Sequence, residues 1–97
     1  MVEKLGGKVT RDEKAPGKPV ITVNLRQKKV TNADLKELAA LKSLTTLNLN
    51  NTRVTGVGAK KLAAIKNLTT LNLSDSPVTD EAVKELATIK TLTVGGR

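Results

Sequence analysis

Few residues in this chain are of a type that does chemistry, and their range is narrow. Histidine, cysteine and tyrosine are absent, so there is no near-neutral base, thiol nucleophile or phenol. The tightest acidic group is Asp75, Asp80 and Glu81. Carboxylates ligate hard cations, but this spacing matches no metal-binding pattern. Asp80 and Glu81 read more simply as negative charges in the first turn of a helix, where the macrodipole favours them. The sequence therefore predicts no enzyme, no cofactor and no metal. Seven lysines (36, 42, 60, 61, 66, 84 and 90) recur along the chain, whose net charge is +8 from 17 basic and nine acidic residues. Such a charge attracts polyanions weakly. No aromatic residue is present to stack on bases, so the lysines read as a solvated helix face and a nucleic-acid partner is disfavoured. A salt-sensitive contact to phosphates is the competing reading. Gly6-Gly7, Gly56, Gly58 and Gly95-Gly96 form no phosphate-loop pattern and read as turns or fraying sites.

What positions these side chains is a repeat. Residues 30–53, VTNADLKELAALKSLTTLNLNNTR, align without a gap to residues 54–77, VTGVGAKKLAAIKNLTTLNLSDSP, and 13 of the 24 are identical. A third copy, VTDEAVKELATIKTLTVGGR, begins at Val78 and fades after Leu92. A fixed 24-residue period predicts units that bury their apolar sides only by stacking on their neighbours. With 38% hydrophobic residues and no Phe, Tyr or Trp, Leu, Val, Ile and Ala must fill the core. Disulfides are excluded. No apolar run is long enough to span a bilayer, and the opening residues MVEKLGGK lack a signal-peptide core. The chain as given reads as soluble, with a cytoplasmic location favoured.

Within each unit the pattern changes period. Strands are expected at 20–25, 44–49 and 68–73, where apolar and polar residues alternate. Thr31, Thr55 and Thr79 then precede helical patterns and read as N-caps, with Asp34 placed to complete a capping box. Helices of about three turns are expected to turn inward Leu35, Leu38, Ala39 and Leu41, then Ala59, Leu62, Ala63 and Ile65, then Val83, Leu86, Ala87 and Ile89. Alanine returns in register at 39, 63 and 87, which suggests a close approach of helix and sheet. Residues 1–19 lie outside the repeat and read as an N-terminal cap: a helical turn at 2–5, an isolated strand at 8–11, and a turn at Pro16-Gly17-Lys18-Pro19. Residues 20–97 read as the repeat domain, with about three full coils and a truncated last unit.

Leu44-x-x-Leu47-x-Leu49-x-x-Thr52-x-Val54 and Leu68-x-x-Leu71-x-Leu73-x-x-Ser76-x-Val78 resemble the leucine-rich repeat consensus LxxLxLxxNxL. Val20-x-x-Val23-x-Leu25-x-x-Lys28-x-Val30 is a weaker copy. The spacing is similar to that of bacterial multi-repeat members. The resemblance implies an α/β solenoid, with parallel strands on a concave face and helices on a convex one, that mediates protein contacts or serves as a structural repeat module. It also implies that the residues between the leucines line the concave face: Thr22, Asn24 and Arg26, then Thr46, Asn48 and Asn50, then Thr70, Asn72 and Ser74. These nine are the candidate interaction residues. The competing readings are a solvated sheet face, an asparagine amide ladder at 24, 48 and 72, and an orphan repeat fragment without a ligand. Thr52 and Ser76 replace the family's usual turn asparagine, and hydroxyls make similar, weaker links. Lys28 accepts no hydrogen bond, so the first turn is expected to be irregular there, with the lysine extended to solvent.

The end of the chain carries two expectations. Strict periodicity places Gly95 at the position of Leu71 and Arg97 at that of Leu73, so the last unit lacks two core leucines and leaves Ile89 and Leu92 facing water. Its open strand edge would then pair with a second copy of the chain.

Overall fold

The computed structural model describes residues 6–87 and 89–93. A five-stranded mixed sheet runs in chain order: β1 (Lys8–Arg11), β2 (Val20–Asn24), β3 (Thr46–Asn48), β4 (Thr70–Asn72) and β5 (Thr91–Thr93). β1 is antiparallel to β2, whereas β2, β3, β4 and β5 pair in parallel. The helices are short: α1 (Leu35–Ala39), α2 (Gly56–Ala59) and α3 (Asp80–Glu85). Single 3₁₀ segments precede α1 (Asn32–Asp34) and follow α2 (Lys60–Ala64). This is an α/β repeat fold.

The apolar ladder is as the period requires. Val23, Leu47 and Leu71 are direct neighbours on adjacent parallel strands, and all three are fully buried. Leu25, Leu49 and Leu73 are fully buried as well. Each such side chain contributes roughly 1.5–3 kcal/mol through removal from water. The coils of β2, β3 and β4 each leave their strand through a left-handed residue at the same repeat position: Gln27 (φ 61°), Asn51 (φ 54°) and Asp75 (φ 61°). Asn and Asp tolerate this conformation, and Gln does so less well.

The helical side differs from expectation. Three-turn α-helices do not form. The backbone leaves each helix through bonds between residues three apart: Leu41 N–H to Leu38 O and Leu44 N–H to Leu41 O, repeated at Ile65–Leu62 and Leu68–Ile65, and again at Leu86–Val83 and Ile89–Leu86. A three-residue turn brings every third side chain to one face. The inward row is thus 35, 38, 41 and 44, then 59, 62, 65 and 68. The i+4 alanines fall off it: Ala63 and Ala87 are exposed and Ala39 is half-buried. Ala59 and Ala82 are the alanines in the core, and Val83 is only half-buried.

The glycines of α2 are neither turns nor fraying sites. Gly56 and Gly58 are buried within the helix. A Cβ on Gly58 would clash with Asn32 Oδ1, and one on Gly56 would fall 2.8 Å from Thr79 Oγ1. These two positions let the second coil approach the coils on either side.

The last coil reaches its strand sooner than the period predicts. Leu92 pairs with Leu71, and Thr91 and Thr93 pair with Thr70 and Asn72. The interval from Leu71 to Leu92 is 21 residues where the preceding ones are 24. The three-residue loss fits on the helical side, since Ile89 N–H bonds to Leu86 O as Leu68 N–H bonds to Ile65 O. Leu92, not Gly95, occupies the position of Leu71. Leu92 is half-buried and Ile89 is buried, so neither faces open water as strict periodicity predicted. Gly95, Arg97 and the helical turn expected at 2–5 lie outside the described residues.

At the other end, 8–11 is not an isolated strand. Val9 faces Val23 and packs against the core, and Thr10 faces Thr22. β1 thereby covers the outer edge of the first repeat strand.

Candidate functional site

Burial of Val23, Leu47 and Leu71 on one side of the sheet sends the alternating residues to the other. Thr22, Thr46 and Thr70 form one row across the strands, and Asn24, Asn48 and Asn72 form the next. The pairing extends both rows beyond the residues that the repeat singled out. Thr10 and Thr91 continue the threonine row, while Lys8 and Thr93 flank the asparagines. Alternation in KVTR pointed to a strand, but nothing in the period told which strand it would join. Arg26, Asn50 and Ser74 follow at the strand ends. Asn24 and Arg26 are exposed, and the other seven candidates are half-buried.

The asparagines do not form an amide ladder. Each side-chain carbonyl folds onto its own chain two residues ahead: Asn24 Oδ1 accepts from Arg26 N–H at 3.0 Å, Asn48 Oδ1 from Asn50 N–H at 2.9 Å, and Asn72 Oδ1 from Ser74 N–H at 2.9 Å. These are Asx turns. Because a backbone N–H is the donor, the acceptor must be the oxygen, which fixes the orientation of each amide. The three NH₂ groups have no partner among the described residues.

Behind the strand ends lie the turns. Thr52 and Ser76 are the buried polar residues of the core. Ser76 Oγ lies 2.9 Å from Leu49 O and 3.2 Å from Thr52 Oγ1, and it accepts from Thr52 N–H at 3.3 Å. Thr52 Oγ1 is also 2.9 Å from Leu49 O. The hydroxyls thus take over the linking role of a turn asparagine. Lys28, at the same repeat position, is exposed, with its aliphatic stem next to Gly6.

The N-cap threonines diverge. Thr79 Oγ1 accepts from Ala82 N–H at 3.2 Å. Thr31 relies on Asp34, whose carboxylate accepts from the Thr31 backbone N–H at 3.0 Å. Thr55 caps nothing with its hydroxyl: Asn32 Nδ2 donates to Thr55 Oγ1 at 2.7 Å, and Asn32 Oδ1 accepts from Thr55 N–H at 3.0 Å. Asn32 is a structural residue that sequence reasoning missed.

Asp75, Asp80 and Glu81 do not assemble into a cation-holding group among the described residues. Glu81 and Glu85 instead flank the Lys60 ammonium at 3.0 and 3.6 Å. The hydrogen bond and charge of Glu81, aided by Glu85, raise the Lys60 pKa above its ordinary 10.5. The ion pair borders a shallow hollow of about 210 Å³ lined also by Val57 and Pro77. Among the described residues, Val57 is the large apolar side chain that stands exposed, at 69%.

A family model described as leucine-rich repeats (2 copies) matches residues 42–93, more than half of the 97. The chain belongs to the leucine-rich repeat family. The match spans β3, β4 and β5 and the helices between them, the part of the chain where the leucines stack in register. Leucine-rich repeat domains generally mediate protein–protein contacts and are typically non-enzymatic. No curated protein matches this chain.

Proposed function

We propose that this leucine-rich repeat chain is a non-catalytic protein-binding module, built as a short solenoid whose strand face is the contact surface. The contact residues are Thr22, Asn24, Arg26, Thr46, Asn48, Asn50, Thr70, Asn72 and Ser74. The observation that carries the reading is the registered polar array of Thr22-Thr46-Thr70 beside Asn24-Asn48-Asn72, backed by a continuous buried ladder. A rigid backing matters because an interface gains affinity when its donors are already in place before the partner arrives. The helices supply the opposite, convex side, where Lys36 and Lys84 are exposed.

A photo-crosslinking amino acid placed at Thr46, and separately at Lys36, tests the assignment in extracts of the producing cell. Discrete protein adducts are expected from position 46 and not from position 36. Equal capture from both positions, or capture from position 36 alone, overturns the strand face as the contact surface.

A further inference from the structure

The first-coil end of the strand face and its rim is cationic, whereas Asp75 stands at the third-coil end. Lys8 stands opposite Asn24 across the β1–β2 pairing, and Arg26 follows two residues after it. Lys28 lies over Gly6, and Lys29 is its neighbour in the same turn. Arg53 joins them from the next coil, because its backbone N–H bonds to Val30 O at 3.2 Å. These five cations are all exposed. None is in an ion pair among the described residues; the ion pairs there belong to Lys18 and Lys60. Asp34, the carboxylate on the adjoining helix start, is spent on the Thr31 N–H.

The neutral part of the face points the same way. The Asx turns consume the acceptor end of Asn24, Asn48 and Asn72 and leave the NH₂ donors unspent. A surface of cations and unspent amide donors selects a partner that brings acceptors and negative charge. It carries no aromatic ring on which bases could stack. We infer that the partner of this face is an acidic protein segment, extended across the strands with carboxylates on the Lys8–Arg26–Lys28–Lys29–Arg53 rim and backbone carbonyls on the asparagine amides. This deepens the protein-binding reading above and rests on it.

Fluorescence anisotropy with three labelled ligands tests the inference: a peptide of alternating Glu and Ser, the same peptide with Gln for Glu, and an oligothymidylate of equal length. The Glu peptide is expected to bind about tenfold more tightly than the Gln peptide. The double variant Arg26→Gln/Lys28→Gln is expected to weaken it about tenfold. Lys36→Gln/Lys84→Gln, with the same change in net charge on the helical side, is expected to weaken it less than about twofold. Asn48→Asp keeps an oxygen for the Asn50 N–H but replaces the donor, and is expected to cost about fivefold or more. Its single-charge control, Lys36→Gln, is expected to have little effect.

Equal losses from rim and helix-side variants would mean diffuse charge attraction and overturn the inference. Tighter binding of the oligothymidylate, lost in the same rim variant, overturns it in favour of a nucleic acid. A Gln peptide that binds as well as the Glu peptide, and is weakened by Asn48→Asp, removes the acidic partner while leaving the strand-face reading intact. Failure of all three ligands to bind at any accessible concentration counts against both.

Discussion

The second coil meets its two neighbours by different means. At its junction with the first coil, the polar link is on the helical side: Asn32 grips both the backbone and the hydroxyl of Thr55, and Gly58 leaves the room for it. On the turn side of that junction Lys28 turns outward and no buried side chain bridges. At the junction with the third coil, the buried link is on the turn side, through Thr52 and Ser76. The helical side there has the close approach of Gly56 to Thr79 and the exposed Lys60 ion pairs. The apolar ladder and a threonine hydroxyl bond, Thr45 to Ile21 O and Thr69 to Thr45 O, are common to both junctions, so the links through Asn32 and through Ser76 are what differentiate them. A repeat can therefore keep its stacking while relocating the polar link from one side of the coil to the other.

Breaking the first junction should produce the largest effect. Gly58→Ala puts a methyl group into the Asn32 amide, which cannot retreat without losing both bonds to Thr55, and about 2–3 kcal/mol of stability should disappear. Urea unfolding measures it. The cost should shrink in an Asn32→Ala background if the clash is its source, since contacting residues are non-additive. Breaking the second junction comes next. Ser76→Ala strands the buried Thr52 N–H and should cost roughly 1–3 kcal/mol by the same measurement; a loss no larger than that of Ser74→Ala, at a half-buried position, would mean the hydroxyl link is idle.

Making the two junctions alike is a smaller effect in the opposite direction. Lys28→Thr supplies the missing hydroxyl beside Leu25 and Thr52, and should raise stability by up to about 1 kcal/mol. A destabilised variant would show that the lysine stem over Gly6 matters more. The smallest effect lies at the Lys60 ion pair, which is solvent-exposed. Its folded-state pKa is raised above 10.5, so its contribution is complete below the unfolded-state value and fades as pH rises through the higher folded value. A Lys60→Gln variant should lack this alkaline step in a comparison of unfolding midpoints across pH.

Particular residues show how much could be read in advance. The alternation around Leu47 and Leu71 announced both the buried ladder and the polar row at Thr46–Asn48 and Thr70–Asn72. The same period misplaced the last strand, because it carried no notice that three residues were missing from the helical side. The asparagines at 24, 48 and 72 were visible as a row, but their division into a spent carbonyl and an unspent amine depends on where the backbone goes two residues later. Lys8, on the rim, was hidden by ignorance of the partner of β1.

The sequence by itself determined what repeats every 24 residues: which strand side chains go inward and which polar residues stand between them. Those features are local, and identical neighbours reinforce them. Tertiary structure alone decided what happens between coils: the exposure of Ala63, the burial of Gly58, the grip of Asn32 on Thr55, and the pairing that adds Lys8 and Thr10 to the face. Such contacts join residues distant in the sequence, Thr10 with Thr22 as much as Asn32 with Thr55, and their geometry depends on how closely one coil or strand settles on the next, which no single unit encodes.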